Sequence, residues 1–462
     1  MSTVWELADP TLISSAPSVE LLYSQLMQKL LTLRGFYTEE EVQKLFFPSL
    51  DSLYDPFLMK GIQRSAKRIL SAIERKETIL VHGDYDVDGI TGAALLSHTL
   101  EKLNAQFVTF LPVRKRDGYG VSQESLRLAQ EKGVSLFITV DCGITAFEEA
   151  RQAREAGIDV IVIDHHRIHG GKMPEAFEII NPLQDGCPYP FKELSACGLA
   201  FKLAQALLGP GAYEFLDLVA LSSVCDVAPL IDENRILVSF GLQKLGARGQ
   251  IGFKSLCQVA SLKRRKISTS DLAFILGPRI NASGRMSSPD TALKLLTAHN
   301  VEEAERLSQV LNEENRARQQ EERQLLKQAL QAVKREVNFN RDRVIVIGGS
   351  GWHEGVIGII AQRLVEYFMR PAVVIAFDGD KGKGSGRSVK GFHLFHAFEY
   401  CQEVLEEFGG HELAAGLTIK RENFEVFRET GTASEFSMYE VKIKGGNPAA
   451  RALDTKRDRS LA

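Results

Sequence analysis

The stretch TILVHGDYDVDGIT, residues 78–91, decides the fold of this chain. Its short apolar run at 79–81 predicts a buried strand over Thr78–Val81. Three aspartates follow at alternate positions, close to one histidine: His82, Asp84, Asp86 and Asp88. Buried carboxylates need partners, whereas several of them at the carboxyl end of a strand suit a hard divalent cation. We therefore expect a metal site here, to which the rest of the chain brings further ligands and a nucleic acid backbone.

Length and composition set the frame for this interpretation. The chain has 462 residues, which predicts two or three domains. Its apolar content of 44% and charged content of 25% are ordinary for a globular protein. The formal net charge of -3 gives no overall basic signal, so any contact with DNA or RNA has to come from a local groove.

Cysteine usage and the termini predict a cellular setting. The six cysteines are scattered and form no CxxC pair, which argues against a zinc knuckle and a disulfide framework. The N-terminal MSTVWELADP lacks the pattern of a signal peptide, and no run of about 18 apolar residues follows anywhere. We expect a cytoplasmic protein in a reducing compartment, with no membrane partner.

Alternating strands and helices predict an α/β domain with a parallel sheet. Predicted strands lie at 78–81, 106–111, 134–140 and 158–163, and predicted helices at 65–73, 92–103 and 145–156. Three of the strands end in polar clusters that contain Asp84, Asp141 and Asp164. Ligands bind at this edge of open α/β sheets.

The remaining segments predict a second, smaller α/β domain joined to the first by a long helix. We expect helices at 18–31 and 38–47, an apolar helix over 214–230 that ends at Asp226, and an exposed connecting helix over 301–335. Strands at 343–347 and 372–377, a glycine loop at 348–351 and a helix at 355–368 follow. The predicted division is a helical region 1–55, the sheet domain 56–235, a helical region 236–338, the second domain 339–428 and an irregular tail 429–462.

The predicted metal ligands come from four separate places in the chain. They are His82, Asp84, Asp86, Asp141, His165 and Asp226. Oxygen ligands with two imidazoles suit Mn²⁺ or Mg²⁺. Six ligands suit two ions that share a bridging carboxylate, and such a pair can hydrolyse a phosphodiester. Any single aspartate after a strand could instead cap a helix, but chance is a poor explanation for the whole set.

These motifs together resemble the DHH phosphoesterase superfamily and, within it, the RecJ family of single-strand-specific 5′→3′ DNA exonucleases. The resemblance covers about residues 30 to 428 and rests on DYDVDG at 84–89, DCG at 141–143, DHH at 164–166, CDVAPL at 225–230, GPRINASGRM at 277–286, GWHEGVIGI at 351–359, GSGRS at 384–388 and GGHELAAG at 409–416. It implies one ion held by His82, Asp84 and Asp141, and another held by Asp86, Asp141, His165 and Asp226. It further implies that His166 faces the scissile phosphate and that Asp164 orients the imidazoles. Asp88 is expected to brace the loop.

A second group of residues is cationic. Several arginines lie beside glycines, where backbone can approach a phosphate and a guanidinium can bind it bidentately; each could equally be a solvated or internally paired arginine. The resemblance implies a 5′-phosphate pocket of Arg114, Ser385 and Arg387, and contacts near the scissile phosphate from Arg279, Asn281 and Arg285. His353, His393 and His411 are expected along the groove, although a lone histidine is more often structural.

Two further surface predictions concern nucleic acid contacts. The aromatic residues Tyr119, Trp352 and Phe392 could stack on bases without reading sequence. The basic run at 263–266 is by default a solvated helix face, with a phosphate contact as the alternative.

The functional expectation is a metal-dependent exonuclease that degrades single-stranded DNA 5′→3′ to mononucleotides in repair and recombination. The resemblance also implies a single-strand-binding protein and a helicase as partners. RecJ proteins usually carry a further oligonucleotide-binding barrel, and the loss of pattern near Thr430 indicates truncation or a shifted reading frame. The alternatives are a phosphoesterase of short oligoribonucleotides or small nucleotides, and a catalytically weak DNA-binding form.

Overall fold

The computed structural model describes residues 24–118, 120–247, 249–262 and 266–432. The chain divides into two compact units between Asn315 and Arg316, inside one long helix. The finer division predicted from the sequence, with limits at 55, 235, 338 and 428, remains a prediction. Among the described helices, none combines the length and the apolar run that crossing a bilayer requires.

The first unit is built on a five-stranded parallel sheet. Its strands are β1 (Thr78–Gly83), β2 (Gln106–Phe110), β3 (Val134–Val140), β4 (Asp159–Ile163) and β5 (Glu178–Ile180). They lie in the order β2-β1-β3-β4-β5, and every neighbouring pair is parallel. The predicted α/β fold with a parallel sheet is therefore confirmed. The short strand β5 was not predicted.

Helices cover both faces of this sheet. The helices of this unit include α1 (Gln25–Leu33), α2 (Glu39–Phe46), α3 (Ile62–Glu74), α4 (Val87–Lys102), α5 (Arg114–Asp117), α6 (Gln123–Glu131), α7 (Phe147–Glu155), α8 (Ala196–Leu208), α9 (Leu216–Cys225), α10 (Asp232–Ala247), α11 (Ile251–Val259), α12 (Gly277–Met286) and α13 (Asp290–Leu296). A π-helical turn, Leu272–Leu276, runs directly into α12. In β3, Leu136 and Ile138 pack into one core cluster, whereas Phe137 packs into the cluster on the opposite face. This alternation explains why the central strands are apolar throughout.

The second unit contains a mixed sheet. The long helix α14 (Val301–Glu336) leads into β6 (Ile345–Ser350), α15 (Glu354–Phe368), β7 (Ala372–Asp378), β8 (Lys381–Arg387), α16 (Leu394–Tyr400), β9 (Glu407–Gly410), β10 (Ala414–Lys420) and α17 (Phe424–Thr432). The strand order is β6-β7-β8-β10-β9, with β6 and β7 parallel and the other pairs antiparallel. The predicted smaller α/β domain is present, but its three C-terminal strands were not predicted.

Three local predictions need correction. Strand β1 continues through His82 to Gly83, so His82 belongs to the strand and not to the following loop. Helix α4 begins at Val87, five residues before the predicted start, so Asp88 lies in its first turn. Gly348 and Gly349 belong to strand β6, where a loop was predicted, because they pair with Ile375 and Ala376 of β7.

Candidate metal centre

The carboxyl edge of the parallel sheet positions three aspartates side by side. Asp84, Asp141 and Asp164 each follow the last residue of a strand. Each donates its backbone N–H to the carbonyl of the last residue of the adjacent strand, over 3.2, 3.0 and 3.1 Å respectively. The sheet ladder therefore continues one residue beyond the strands and fixes the backbone that carries these carboxylates.

Asp141 has a strained backbone. Its φ of +65° lies in the left-handed region, which a non-glycine residue adopts at a cost of about 1–2 kcal/mol. The side chain is buried among the other acidic groups of the edge. Strain of this kind persists only where the surrounding structure imposes it, and it concentrates at functional sites.

The predicted ligands come together in overlapping groups. In each group, one potential ligand atom from every residue lies within 4.8 Å of the others. The groups are Asp84 with Asp86 and Asp141, Asp141 with His165 and His166, and Asp88 with His165 and Asp226. Asp141 is shared by the first two groups and His165 by the last two. The Nε2 of His165 lies 3.3 Å from Asp141 Oδ1, and its Nδ1 lies 3.8 Å from Asp226 Oδ2. Five of the six predicted ligands therefore share one pocket.

The sixth predicted ligand, His82, lies fully buried two residues before Asp84. Its Nδ1 is 3.6 Å from Cys142 Sγ, and Phe110 and Phe137 flank its ring. Among the described residues, neither His82 Nε2 nor Asp84 Oδ1 has a hydrogen-bond partner, although both atoms are buried. Because buried polar atoms are normally satisfied, these two orphaned atoms fit a bound cation.

The electrostatics of the pocket also favour cations. Burial, followed by the charges of neighbouring aspartates, raises the pKa of Asp84 and Asp141 well above the usual value. The same causes raise the pKa of Asp226 to about 8. Burial lowers the pKa of His82 to about 4, so its imidazole is neutral at pH 7, as metal coordination requires. Bound divalent cations would remove the repulsion between these carboxylates.

His166 is hydrogen-bonded to Asp164, which favours the charged imidazole. Its Nδ1 lies 2.7 Å from Asp164 Oδ1, and its backbone N–H donates to the same oxygen over 3.0 Å. Burial opposes the charged imidazole, but the hydrogen bond and the charge of Asp164 raise the pKa of His166 to about 9. Asn181 donates to the carbonyl of His166 over 3.0 Å. Asn181 was not singled out from the sequence, because the strand that it follows, β5, was not predicted either.

Asp86 and Asp88 have unequal roles in the loop. Asp86 caps helix α4 and accepts from the backbone N–H groups of Asp88 and Gly89 over 2.9 and 3.3 Å. The buried carboxylate of Asp88 accepts three hydrogen bonds from elsewhere, from Ala196 N, Cys197 N and Ser222 Oγ at 2.6–2.8 Å. Asp88 thus ties the loop to α8 and α9. Asp88 was expected from the sequence to brace the loop, but its partners in this tie were not identified.

Helix α12, which consists of the GPRINASGRM motif, packs against the same loop. Asn281 Oδ1 accepts from Val87 N–H over 3.1 Å. A Cβ at Gly284 would lie only 2.4 Å from the carbonyl oxygen of Tyr85, so glycine permits this close approach. The guanidinium of Arg114 lies over the Tyr85 ring, 5.5 Å from its centroid. Two predicted substrate-binding residues, Asn281 and Arg114, therefore border the metal loop directly.

The other predicted arginine contacts of the first unit are partly internal. Arg279 donates to Asn312 Oδ1 over 3.1 Å and to the carbonyl of Ile275 over 2.6 Å. Arg285 is half-buried. Burial raises the pKa of Tyr85 to about 12, and the charges of Arg114 and Arg285 oppose this rise. Arg114 and Arg285 thus place positive charge beside the DYDVDG segment.

Predicted substrate-binding residues of the second unit gather at the N-terminus of α15. His353 caps this helix, and its Nδ1 accepts from Gly355 N–H over 3.1 Å. A Cβ at Gly358 would lie 3.0 Å from Ser385 Oγ and 3.3 Å from Arg387 Nη2. Arg387 also donates to Ser385 Oγ over 3.2 Å. His411 lies exposed in the turn between β9 and β10.

The residues predicted to stack on bases or to contact phosphate differ in their exposure and in whether the structure describes them. Phe392 is only 5% exposed and packs in the core of the second unit, so the prediction that it stacks on a base is wrong. Trp352 is half-exposed and stays a candidate. Tyr119 and most of the basic run, at 263–265, lie outside the described residues.

Two family models match the chain. The DHH family N-terminal domain matches residues 78–222, and the DHHA1 domain matches residues 341–433. The first range includes every predicted metal ligand except Asp226, and the second includes His353, Ser385, Arg387 and His411.

Individual proteins extend the similarity over most of the chain. A Bacillus subtilis (strain 168) protein named single-stranded-DNA-specific exonuclease RecJ is 41% identical over 91% of this chain and 53% of its own length. The Escherichia coli (strain K12) protein of the same name is 35% identical over 87% of this chain and 73% of its own length. A crystal structure of exonuclease RecJ bound to manganese matches with a TM-score of 0.74 and 32% identity, over 87% of this chain and 98% of that one. The chain thus spans about half the length of the Bacillus relative.

Proposed function

This chain belongs to the RecJ family, and from that premise we propose that it is a metal-dependent exonuclease that degrades single-stranded DNA 5′→3′ to mononucleotides. The observation that carries the proposal is the pair of buried, orphaned ligand atoms, His82 Nε2 and Asp84 Oδ1, beside the cluster of carboxylates and His165. Oxygen ligands with two imidazoles suit Mn²⁺ or Mg²⁺, and a solved relative binds manganese.

We assign the ligands to two ions that share Asp141. The first ion would be held by His82, Asp84 and Asp141, and the second by Asp86, Asp141, His165 and Asp226. The position of Asp141 in two of the overlapping groups supports its role as the bridge. When bound, such a pair supplies an activated water and neutralises charge on the phosphoryl oxygens.

The chain's own residues orient the phosphodiester and stabilise its developing charge. His166, kept cationic by Asp164, is assigned to the scissile phosphate, where a preorganised positive donor is most effective. Asp88 is assigned an indirect role, because its three hydrogen bonds fix the loop that carries Asp84 and Asp86. The chemistry therefore depends on a rigid sheet edge.

Arginines and small polar residues are assigned to the strand itself. Arg279, Asn281 and Arg285 would contact DNA near the scissile phosphate, and Arg114, Ser385 and Arg387 would bind the 5′-terminal phosphate. His353 and His411 would line the path of the strand. The contacts of Arg114 with Tyr85 and of Arg387 with Ser385 support these assignments, because they preorient both guanidinium groups.

The cellular part of the proposal rests on family membership. We assign the activity to DNA repair and recombination in the cytoplasm, with a single-strand-binding protein and a helicase as partners. Co-purification with these two proteins, before and after digestion of DNA, tests the partnership; recovery only in undigested samples would contradict a direct contact.

A cleavage assay with Asp141→Ala tests the enzymatic proposal. On end-labelled, 5′-phosphorylated single strands with Mn²⁺, the unaltered protein should release mononucleotides, and Asp141→Ala should abolish cleavage while single-strand binding stays nearly intact. Equal turnover by the variant would refute the two-ion assignment. Preferential hydrolysis of dinucleotides over long strands would replace the proposal with a small-nucleotide phosphoesterase.

A further inference from the structure

We propose that Trp352 is a stacking platform for one nucleobase of the bound single strand. This inference rests on the proposed function and adds a residue that reads no sequence but holds the strand in place. It concerns the second unit alone, where Trp352 lies in the connection between β6 and α15.

The indole of Trp352 is held rigidly by two contacts. One is with Gly349, where an added Cβ would lie 2.3–2.7 Å from the indole atoms Cε2, Cζ2 and Nε1, so only glycine lets the ring lie this close to the strand. The other is a hydrogen bond of 2.8 Å from the indole Nε1–H to Gln328 Oε1 on α14. A half-exposed ring held in this way loses little conformational freedom when a ligand stacks on it.

The surroundings of Trp352 suit a polyanion. His353 follows it as the cap of α15, and the first turns of this helix carry Gly355 and Gly358 in place of bulky side chains. Ser385 and Arg387 lie against Gly358. Gly358 lies four residues after the helix start at Glu354, which is about 6 Å along the axis, so a single strand can reach the indole and the Arg387 region together. The occupant that fits both an aromatic face and a guanidinium is a nucleotide, whose base stacks while its phosphate pairs.

The alternative is that Trp352 only closes the edge of the core. Its ring does pack beside the apolar cluster of α14 and α15. A structural role predicts a loss of stability on substitution but no optical response to bases. The test therefore measures contact with bases directly.

Tryptophan fluorescence gives that measurement, because the chain has only two tryptophans. In a Trp5→Phe background, Trp352 is the single emitter. Titration in EDTA, which prevents metal-dependent cleavage, compares oligothymidylate with an abasic oligonucleotide of equal length. Oligothymidylate should quench the emission and the abasic strand should not. Trp352→Ala should weaken binding of oligothymidylate about tenfold, while Trp352→Phe keeps most of the affinity.

Salt dependence separates stacking from phosphate contact. Trp352→Ala should leave the slope of log K against log salt concentration unchanged, whereas Arg387→Ala should reduce its magnitude by about one. Gln328→Ala, which frees the indole without removing it, should reduce both quenching and affinity. This variant keeps the test decisive if Trp352→Ala fails to fold.

The outcomes distinguish this inference from the proposed function. Equal quenching by both strands, or unchanged affinity of a folded Trp352→Ala variant, would overturn the platform. If either of these results is found while Trp5→Phe still degrades single strands with Mn²⁺, only the platform fails. If it neither binds nor degrades them, both proposals fail.

Discussion

Replacing Asp141 with asparagine should stabilise the metal-free protein and, at the same time, remove its response to Mn²⁺. Asp141 is buried beside Asp84 and Asp86, and their nearest potential ligand oxygens lie within 4.8 Å of one another. Asparagine has almost the same shape but no charge. Comparing this variant with the unaltered protein therefore measures the repulsion between the carboxylates separately from the stabilisation by a bound cation.

The magnitude follows from these distances. At 4.8 Å and an effective dielectric constant of about 20, two carboxylates repel by about 3 kcal/mol. Protonation already relieves part of this, because the pKa of Asp141 is raised by burial and by its acidic neighbours. We expect a net gain of about 1–3 kcal/mol, or a rise in Tm of about 2–6 °C at about 2 °C per kcal/mol. For the unaltered protein, Mn²⁺ at one hundred times its Kd should add about 2.7 kcal/mol.

The sign of the pH dependence follows from the same pKa. An acid whose pKa is higher in the folded state than in the unfolded state costs stability above its unfolded pKa. As pH falls through the folded pKa of Asp141, the unaltered protein regains this stability and the advantage of Asp141→Asn shrinks. Thermal melts at several pH values, each with EDTA and with Mn²⁺, measure both effects.

Asp164→Asn is the matched control. The Asp164 carboxylate accepts from Ile144 N–H over 3.0 Å and from His166, and, although burial opposes it, these bonds lower its pKa. The same substitution should therefore destabilise the protein here, and the Mn²⁺ response should survive. A metal-free Asp141→Asn variant that is less stable than the unaltered protein, yet still stabilised by Mn²⁺, would show that Asp141 is neither repelled by its neighbours nor needed to bind the cation.

Three other substitutions give further tests. Arg387→Ala should reduce the preference for 5′-phosphorylated over 5′-hydroxyl strands, and an unchanged ratio of cleavage rates would remove Arg387 from the 5′-phosphate pocket. Asp88→Ala should lower the free energy of unfolding by about 2–4 kcal/mol in denaturant melts, because it leaves three donors unpaired; a loss below about 0.5 kcal/mol would contradict the tie. Lys202→Met should lower the free energy of unfolding by about 3–5 kcal/mol, since Lys202 and Glu233 form a fully buried ion pair at 2.6 Å. An unchanged free energy of unfolding would show that Glu233 finds another partner.

Much of the metal centre could be predicted because ligands bind at the carboxyl ends of parallel strands. In a parallel sheet the carboxyl ends lie on one edge, so Asp84, Asp141 and His165 could be expected to meet although 81 residues separate the first from the last. The run of apolar residues in β3 and β4 also predicts a sheet covered on both faces. Neither inference needs knowledge of loop conformation.

The features that were not predicted depend on pairing between strands or on contacts between residues far apart in the sequence. His82 belongs to the strand because the ladder with β3 continues through Gly83. Glycine-rich β8 carries little strand propensity and forms only because it pairs with β7 and β10. The hydrogen bond from Val87 to Asn281 joins residues 194 positions apart, a distance over which periodicity carries no information. Phe392 has an aromatic side chain that could stack on a base, and only the folded structure shows that it is buried.

The most direct test of the account is to locate manganese in crystals of this protein by anomalous diffraction at the Mn edge. We expect two peaks that share Asp141 as a ligand, one on the His82 side and one on the His165 side. Manganese bound away from this edge, or one ion that leaves His82 Nε2 without a ligand role, would contradict it.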